Sequence, residues 1–130
     1  MLDTLLLAKV IINYKKKLVM NKEYLFVYGQ FRDTAKNLLK EPVFHEKTTI
    51  EGKIYKVNEF YPGFVDGAGK VLGDVYLIDP ILFPELDDFE GDEYIRVKTI
   101  TSNNIECWVY KYKYDIKGFD EVKSGDWWLR

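Results

Sequence analysis

The chain is short of the groups that most catalytic sites are made from. One cysteine in 130 residues, Cys107, excludes an internal disulfide framework and any cysteine-rich zinc site. Its place beside Trp108 in an alternating stretch reads as a buried, inert thiol. The single histidine, His45, has no partner at ligand spacing, so neither a transition-metal site nor a Ser-His-Asp triad has its raw material. No glycine-rich phosphate loop of the P-loop or dinucleotide type occurs. Basic and acidic residues nearly balance, 19 Lys and Arg against 21 Asp and Glu, and they are scattered. No basic face therefore argues for nucleic acid. Long hydrophobic runs are missing too. The apolar stretch Leu5-Leu6-Leu7-Ala8-Lys9-Val10-Ile11-Ile12 is too short to span a bilayer. It is followed, not preceded, by Lys15-Lys16-Lys17, which argues against a secretory leader; a soluble cytoplasmic protein with no membrane partner is the expectation.

Aromatic residues, by contrast, are abundant: ten Tyr, eight Phe and three Trp. They favour strands and an aromatic-walled pocket. With 47% apolar and 31% charged residues the chain is globular, and its length suits one domain. Residues 1–19 differ in pattern from the rest, so the chain divides into an N-terminal extension, 1–19, and a domain, 20–130. Two readings of the extension stay open: translation beginning at Met20, or an added amphipathic segment that packs on the domain or on another subunit. The second makes it a candidate homo-oligomer contact.

Tyr24-Leu25-Phe26-Val27-Tyr28 is a nearly unbroken apolar run, as in a central strand buried on both faces. It stops at Gly29, and Asp33 or Thr34 can cap a helix over 35–40. A strand ending in Gly before a helix leaves main-chain N–H groups free to bind a carboxylate or phosphate, or simply packs tightly. Residues 48–57 alternate like a strand with one wet face. A turn at Tyr61-Pro62-Gly63 precedes a short strand, and Asp66-Gly67-Ala68-Gly69 reads as a loop. Residues 71–78 form another strand, in which Gly73 marks a bulge or a close backbone approach. Residues 94–100 and 106–114 pair as a hairpin around Ser102-Asn103-Asn104. Near the C-terminus Asp126 reads as a local cap or pair.

Asp79 and Pro80 open a short helix whose first turn Pro84 makes irregular or separate. Leu82, Leu86 and Phe89 follow the spacing of one buried face, leaving Asp87 and Asp88 solvated. Glu90 falls at the edge of that face, and Gly91 is the expected left-handed stop. Partial burial and the negative end of the helix both push a carboxylate pKa up, which makes Glu90 a candidate proton carrier.

Taken in order, Tyr28-Gly29-x-x-Arg32, Tyr61-Pro62-Gly63, Gly73-x-Val75-Tyr76, Leu86-Asp87-x-Phe89-Glu90-Gly91-x-x-Tyr94-x-Arg96 and Ser124-Gly125-Asp126-Trp127 resemble the γ-glutamylcyclotransferase-like family, including its γ-glutamylamine cyclotransferase and AIG2-like branches. The resemblance covers about residues 23–128. It implies an α+β fold, a small mixed β-barrel with two or three short flanking helices, and no metal or organic cofactor. It also implies a small-molecule γ-glutamyl substrate whose α-amine attacks its own γ-carbonyl, giving 5-oxoproline and a free amine or amino acid. Glu90 is then the general acid/base. Tyr28, Gly29, Gln30 and Phe31 would meet the α-carboxylate end. Gln30-Phe31 departs from the Ser or Thr then Leu of relatives, which removes any side-chain hydroxyl contact and leaves the main chain available. Tyr94 and Tyr110 complete the candidate substrate-binding set. Tyr94 and Arg96 either touch substrate or fix the Glu90 turn, and Tyr110 either lines the pocket or packs in the core. The alternative is a non-catalytic small-ligand-binding or interaction module on the same scaffold.

Overall fold

The computed structural model describes residues 4–11, 22–29 and 43–130. Residues 4–11 form an exposed helix (α1), and no helix among the described residues is long and apolar enough to cross a membrane. The strands are β1 (Glu23–Val27), β2 (Val43–Lys56), β3 (Pro62–Ile78), β4 (Tyr94–Ile100) and β5 (Glu106–Tyr112). A 3-10 turn, Pro80–Leu82, runs into α2, Phe83–Glu90, and a second 3-10 turn covers Trp127–Leu129.

The five strands form one mixed sheet in the order β2-β3-β1-β5-β4. β1 runs antiparallel to β3 and parallel to β5, so the apolar run at 24–28 is central, as its composition predicts. Leu25 packs with Tyr76, Ile78, Phe83 and Tyr110 on one face. Phe26 packs on the other with Ile54, Val75, Val109 and Trp127. Cys107 is fully buried there, and burial pushes its thiol up to about 11.

Three expectations need correction. Among the described residues the sheet is not closed into a barrel: its edge strand β2 meets the end of β4 through the isolated Ile50–Thr101 bridge, Ser102 N–H donating to Thr49 O (2.9 Å) and side-chain hydrogen bonds from Thr48 and Thr49 to Asn103 and Ser102, with no continuous ladder. The glycine-rich residues 66–69 are not a loop. β3 continues through them, with β2, which begins at Val43, pairing on either side of them at residues 62–65 and 70–77. Gly52 alone stands opposite residues 66–69, between the Glu51–Lys70 and Lys53–Val65 pairs. Glycine suits that irregularity, since Gly52 (φ 149°) and Gly69 (φ 146°) lie where L side chains are strained. Third, β5 ends at Tyr112, not at residue 114. Gly73 marks a close approach: a Cβ there would lie 2.5 Å from both the Phe26 ring and the Val27 carbonyl oxygen.

Pro84 separates the 3-10 turn from α2 as expected, and Asp79 caps the turn by accepting from Ile81 N–H (3.0 Å). The Asp126 carboxylate likewise caps the C-terminal turn, accepting from Trp128 N–H (3.0 Å). The expected helix over 35–40 lies outside the described residues.

Candidate functional site

The buried face of α2 is not the one its spacing suggests. Phe89 is 54% exposed, whereas Leu82 and Phe83 are buried. Phe83, Leu86 and Glu90 share the inner stripe at i, i+3 and i+7, which carries Glu90 inward. The sheet decides this. Phe83 packs edge-on against Trp108 of β5, with ring centroids 5.8 Å apart, and that contact sets the rotation of the helix.

Gly91 ends α2 with φ 80° and ψ −173°. This is a conformation essentially confined to glycine, though not the left-handed helical one expected. Its N–H donates to the Asp87 carbonyl (3.1 Å). Glu90 sits inside that closed turn. Its carboxylate is half-buried, and desolvation raises its pKa to about 7.

Three tyrosines, each from a different strand region, lie within electrostatic reach of this carboxylate. Burial raises the phenol pKa of Tyr28, Tyr94 and Tyr110, and the negative charge of Glu90 adds to the rise in all three. Every hydroxyl is committed. Tyr28 O–H donates to the Tyr110 carbonyl (2.6 Å), and Phe64 N–H donates to the Tyr28 oxygen (3.1 Å). Tyr94 O–H donates to the Pro62 carbonyl (2.7 Å), and Tyr110 O–H donates to Asp87 Oδ1 (2.7 Å). Tyr28 thus plugs the fork where β1 ends between β3 and β5, which pair directly at Phe64 and Lys111.

Gly29 is buried, and a Cβ there would lie 3.0 Å from Cγ of Pro62. The Tyr-Gly strand end therefore abuts the Tyr-Pro-Gly turn, whose Pro62 carbonyl holds Tyr94. Sequence segments separated by more than thirty residues meet at this hydrogen bond. Gln30 and Phe31, the rest of the expected loop, lie outside the described residues.

Asp87 is solvated as expected, its side chain 43% exposed, but the sequence reading missed its partners. Its carboxylate accepts from Arg96 Nε (2.9 Å) and Nη2 (3.2 Å) besides Tyr110, and the Arg96 hydrogen bonds hold its pKa below the usual carboxylate value. Arg96 is thereby tied to the helix turn that ends at Glu90. Its guanidinium lies over Phe83 (3.9 Å) and Trp108 (4.5 Å). The i to i+9 spacing of Asp87 and Arg96 around a Gly stop was the available signal.

The fold and the gathered motifs define a γ-glutamylcyclotransferase-type scaffold. Residues 25–129 match the family described as gamma-glutamyl cyclotransferase, AIG2-like. The γ-glutamylcyclotransferase family protein YtfP of Escherichia coli K12 is 32% identical over 108 residues, covering 79% of this chain and 94% of YtfP. The solution structure of the E. coli protein superposes with a TM-score of 0.63 at 31% identity, covering 80% and 95% of the two chains. An uncharacterized Pyrococcus horikoshii protein superposes at 0.68 with 27% identity, covering 81% and 89%. A mouse AIG2-like protein shares the fold at 0.59 and 20% identity, covering 75% and 91%. This chain belongs to the AIG2-like γ-glutamyl cyclotransferase family.

Proposed function

We propose that this protein is a γ-glutamyl amide cyclotransferase in which Glu90 carries the proton. The substrate's α-amine attacks its own γ-carbonyl carbon, closing a five-membered ring. The scissile C–N bond then breaks, releasing 5-oxoproline and an amine or amino acid. The α-amine loses a proton on attack and the leaving nitrogen gains one. A carboxylate with a pKa near 7 can accept the first and return it to the second. The protein supplies no nucleophile, so a buried Cys107 and a lone His45 are compatible with the chemistry. The reaction calls on no metal or cofactor.

The observation that carries this reading is a half-buried carboxylate in electrostatic reach of Tyr28, Tyr94 and Tyr110, which hydrogen bonds and packing tie to one another and to Gly29 through Pro62 and the Tyr110 carbonyl. A phenol has one hydrogen to donate, and all three are already donated within the protein. The tyrosines therefore offer ring faces to the substrate, while donors for its α-carboxylate come from main-chain N–H groups at the Tyr28–Gly29 strand end.

The test is 5-oxoproline release from γ-glutamyl amino acids, γ-glutamyl-ε-lysine and simple γ-glutamylamines, comparing wild type with Glu90→Gln. Turnover should fall at least about a hundredfold in the folded variant. Its kcat/KM in wild type should rise with pH through about 7 as Glu90 ionises. A variant that keeps its rate would remove Glu90 from the mechanism. No turnover by wild type on any member would leave the small-ligand-binding module as the better account.

A further inference from the structure

Asp87 is tied at both ends. Its carbonyl closes the Asp87–Gly91 turn by accepting Gly91 N–H, and Glu90 lies within that turn. Its carboxylate receives the Arg96 fork and the Tyr110 hydroxyl. An exposed ion pair would leave the arginine free to wander. Here the guanidinium is held between Phe83 of α2 and Trp108 of β5, in the planar, bidentate geometry that lysine cannot reproduce. Tyr110 makes the second link. Its side chain holds Asp87 while its own carbonyl receives Tyr28 O–H. One β5 residue thus sets the spacing between the Glu90 turn and the Tyr28–Gly29 strand end. An eight-residue helix has too little propensity to keep its last turn ordered unaided.

We infer that Asp87, Arg96 and Tyr110 form a positioning clamp that holds the Glu90 turn against the Tyr28–Gly29 strand end. The catalytic consequence rests on the function proposed above; the structural consequence does not. With the clamp loosened, the last turn of α2 frays and water reaches Glu90. Its proton affinity then falls toward the ordinary carboxylate value near 4.5. The groups whose ionisation is coupled to Glu90, Tyr28 from the end of β1, Tyr94 from β4 and Tyr110 from β5, have pKa values raised above 10. They stay neutral throughout the titration, so its midpoint reports solvation of Glu90.

The experiment is a carbon-detected NMR titration of the Glu90 carboxyl in wild type, Arg96→Lys, Tyr110→Phe and Asp88→Asn, with kcat and KM on the same proteins. Arg96→Lys keeps the charge, so a shift reports geometry. We expect a wild-type midpoint near 7 and a fall of at least about one unit in Arg96→Lys. In the same variant kcat should fall at least about tenfold while KM stays within about threefold. Tyr110→Phe should lie between, and Asp88→Asn, on an exposed neighbour of the same turn, should match wild type. A folded Arg96→Lys with the wild-type midpoint and kcat overturns the clamp. Should Arg96→Lys not fold, Tyr110→Phe, which loses a single hydroxyl, decides on the same criteria. Wild type without turnover would refute the proposed activity alone, since the Glu90 midpoints still decide the clamp.

Discussion

Removing one oxygen atom, in Tyr28→Phe, should unfasten the fork at the end of β1. The ring stays to fill its place in the core, packed 5.8 Å from Phe64, so little cavity opens. Two main-chain groups lose their partner: Phe64 N–H its acceptor at 3.1 Å, and the Tyr110 carbonyl its donor at 2.6 Å. Phe64 and Tyr110 are both buried, so water does not readily replace the hydroxyl. A buried N–H left unpaired costs about 1–3 kcal/mol, and a carbonyl with a second lone pair costs less. Together they predict a loss of about 2–4 kcal/mol. At this chain length that lowers the melting temperature by about 6–15 °C. The residue-specific assay is native-state hydrogen exchange at the Phe64 amide. It should exchange about thirtyfold faster or more, the equivalent of about 2 kcal/mol. A variant melting within about 2 °C of wild type, with Phe64 still protected, would show that the fork holds without the hydroxyl and refute this account.

Glu90 should also make the protein less stable as pH rises. Its folded-state pKa of about 7 lies above the ordinary 4.5. Below about 4.5 both states hold the proton and no penalty applies; the penalty grows between 4.5 and 7 and is complete above 7. That gap sets an upper limit of about 3 kcal/mol, reduced to about 1–2 by the partial exposure of the group. Glu90→Gln should therefore melt several degrees above wild type at pH 8.5 and with it at pH 4; an equal difference at both pH values would count against burial as the cause. Gly73→Ala should cost about 2–4 kcal/mol in urea unfolding, because its Cβ would meet the Val27 carbonyl oxygen and the Phe26 ring, each at 2.5 Å. A cost below about 1 kcal/mol would mean that β1 and β3 can separate freely there.

Stability and the proposed activity thus oppose one another at Glu90. A carboxylate serves as proton carrier at neutral pH only if the fold withholds water from it, and the fold loses stability by doing so. The Asp87–Arg96–Tyr110 contacts are where the structure resists the resulting tendency of the turn to open.

Much of this was legible in the residues alone. The central position of β1, the hairpin of β4 and β5, the Pro84 break and the caps at Asp79 and Asp126 follow from local rules, since hydrophobic run length, proline geometry and Asx capping act within a few residues. Glu90 could be singled out in the same way, from a stripe that ends at a glycine. What the sequence left undecided depended on partners distant in the chain. Residues 66–69 read as a loop until β2 pairs with the chain on either side of them. The partners of Asp87 were not legible because Arg96 and Tyr110 arrive on β4 and β5. Phe89 read as buried because an eight-residue helix carries too few apolar residues to define its own rotation, and the packing of Phe83 on Trp108 settles it. Whether the sheet closes depends on how strand twist accumulates over five strands, a sum no local pattern contains. Local chemistry determined which residues were available for a site; packing across the sheet decided which carboxylate faced inward and which one held it there.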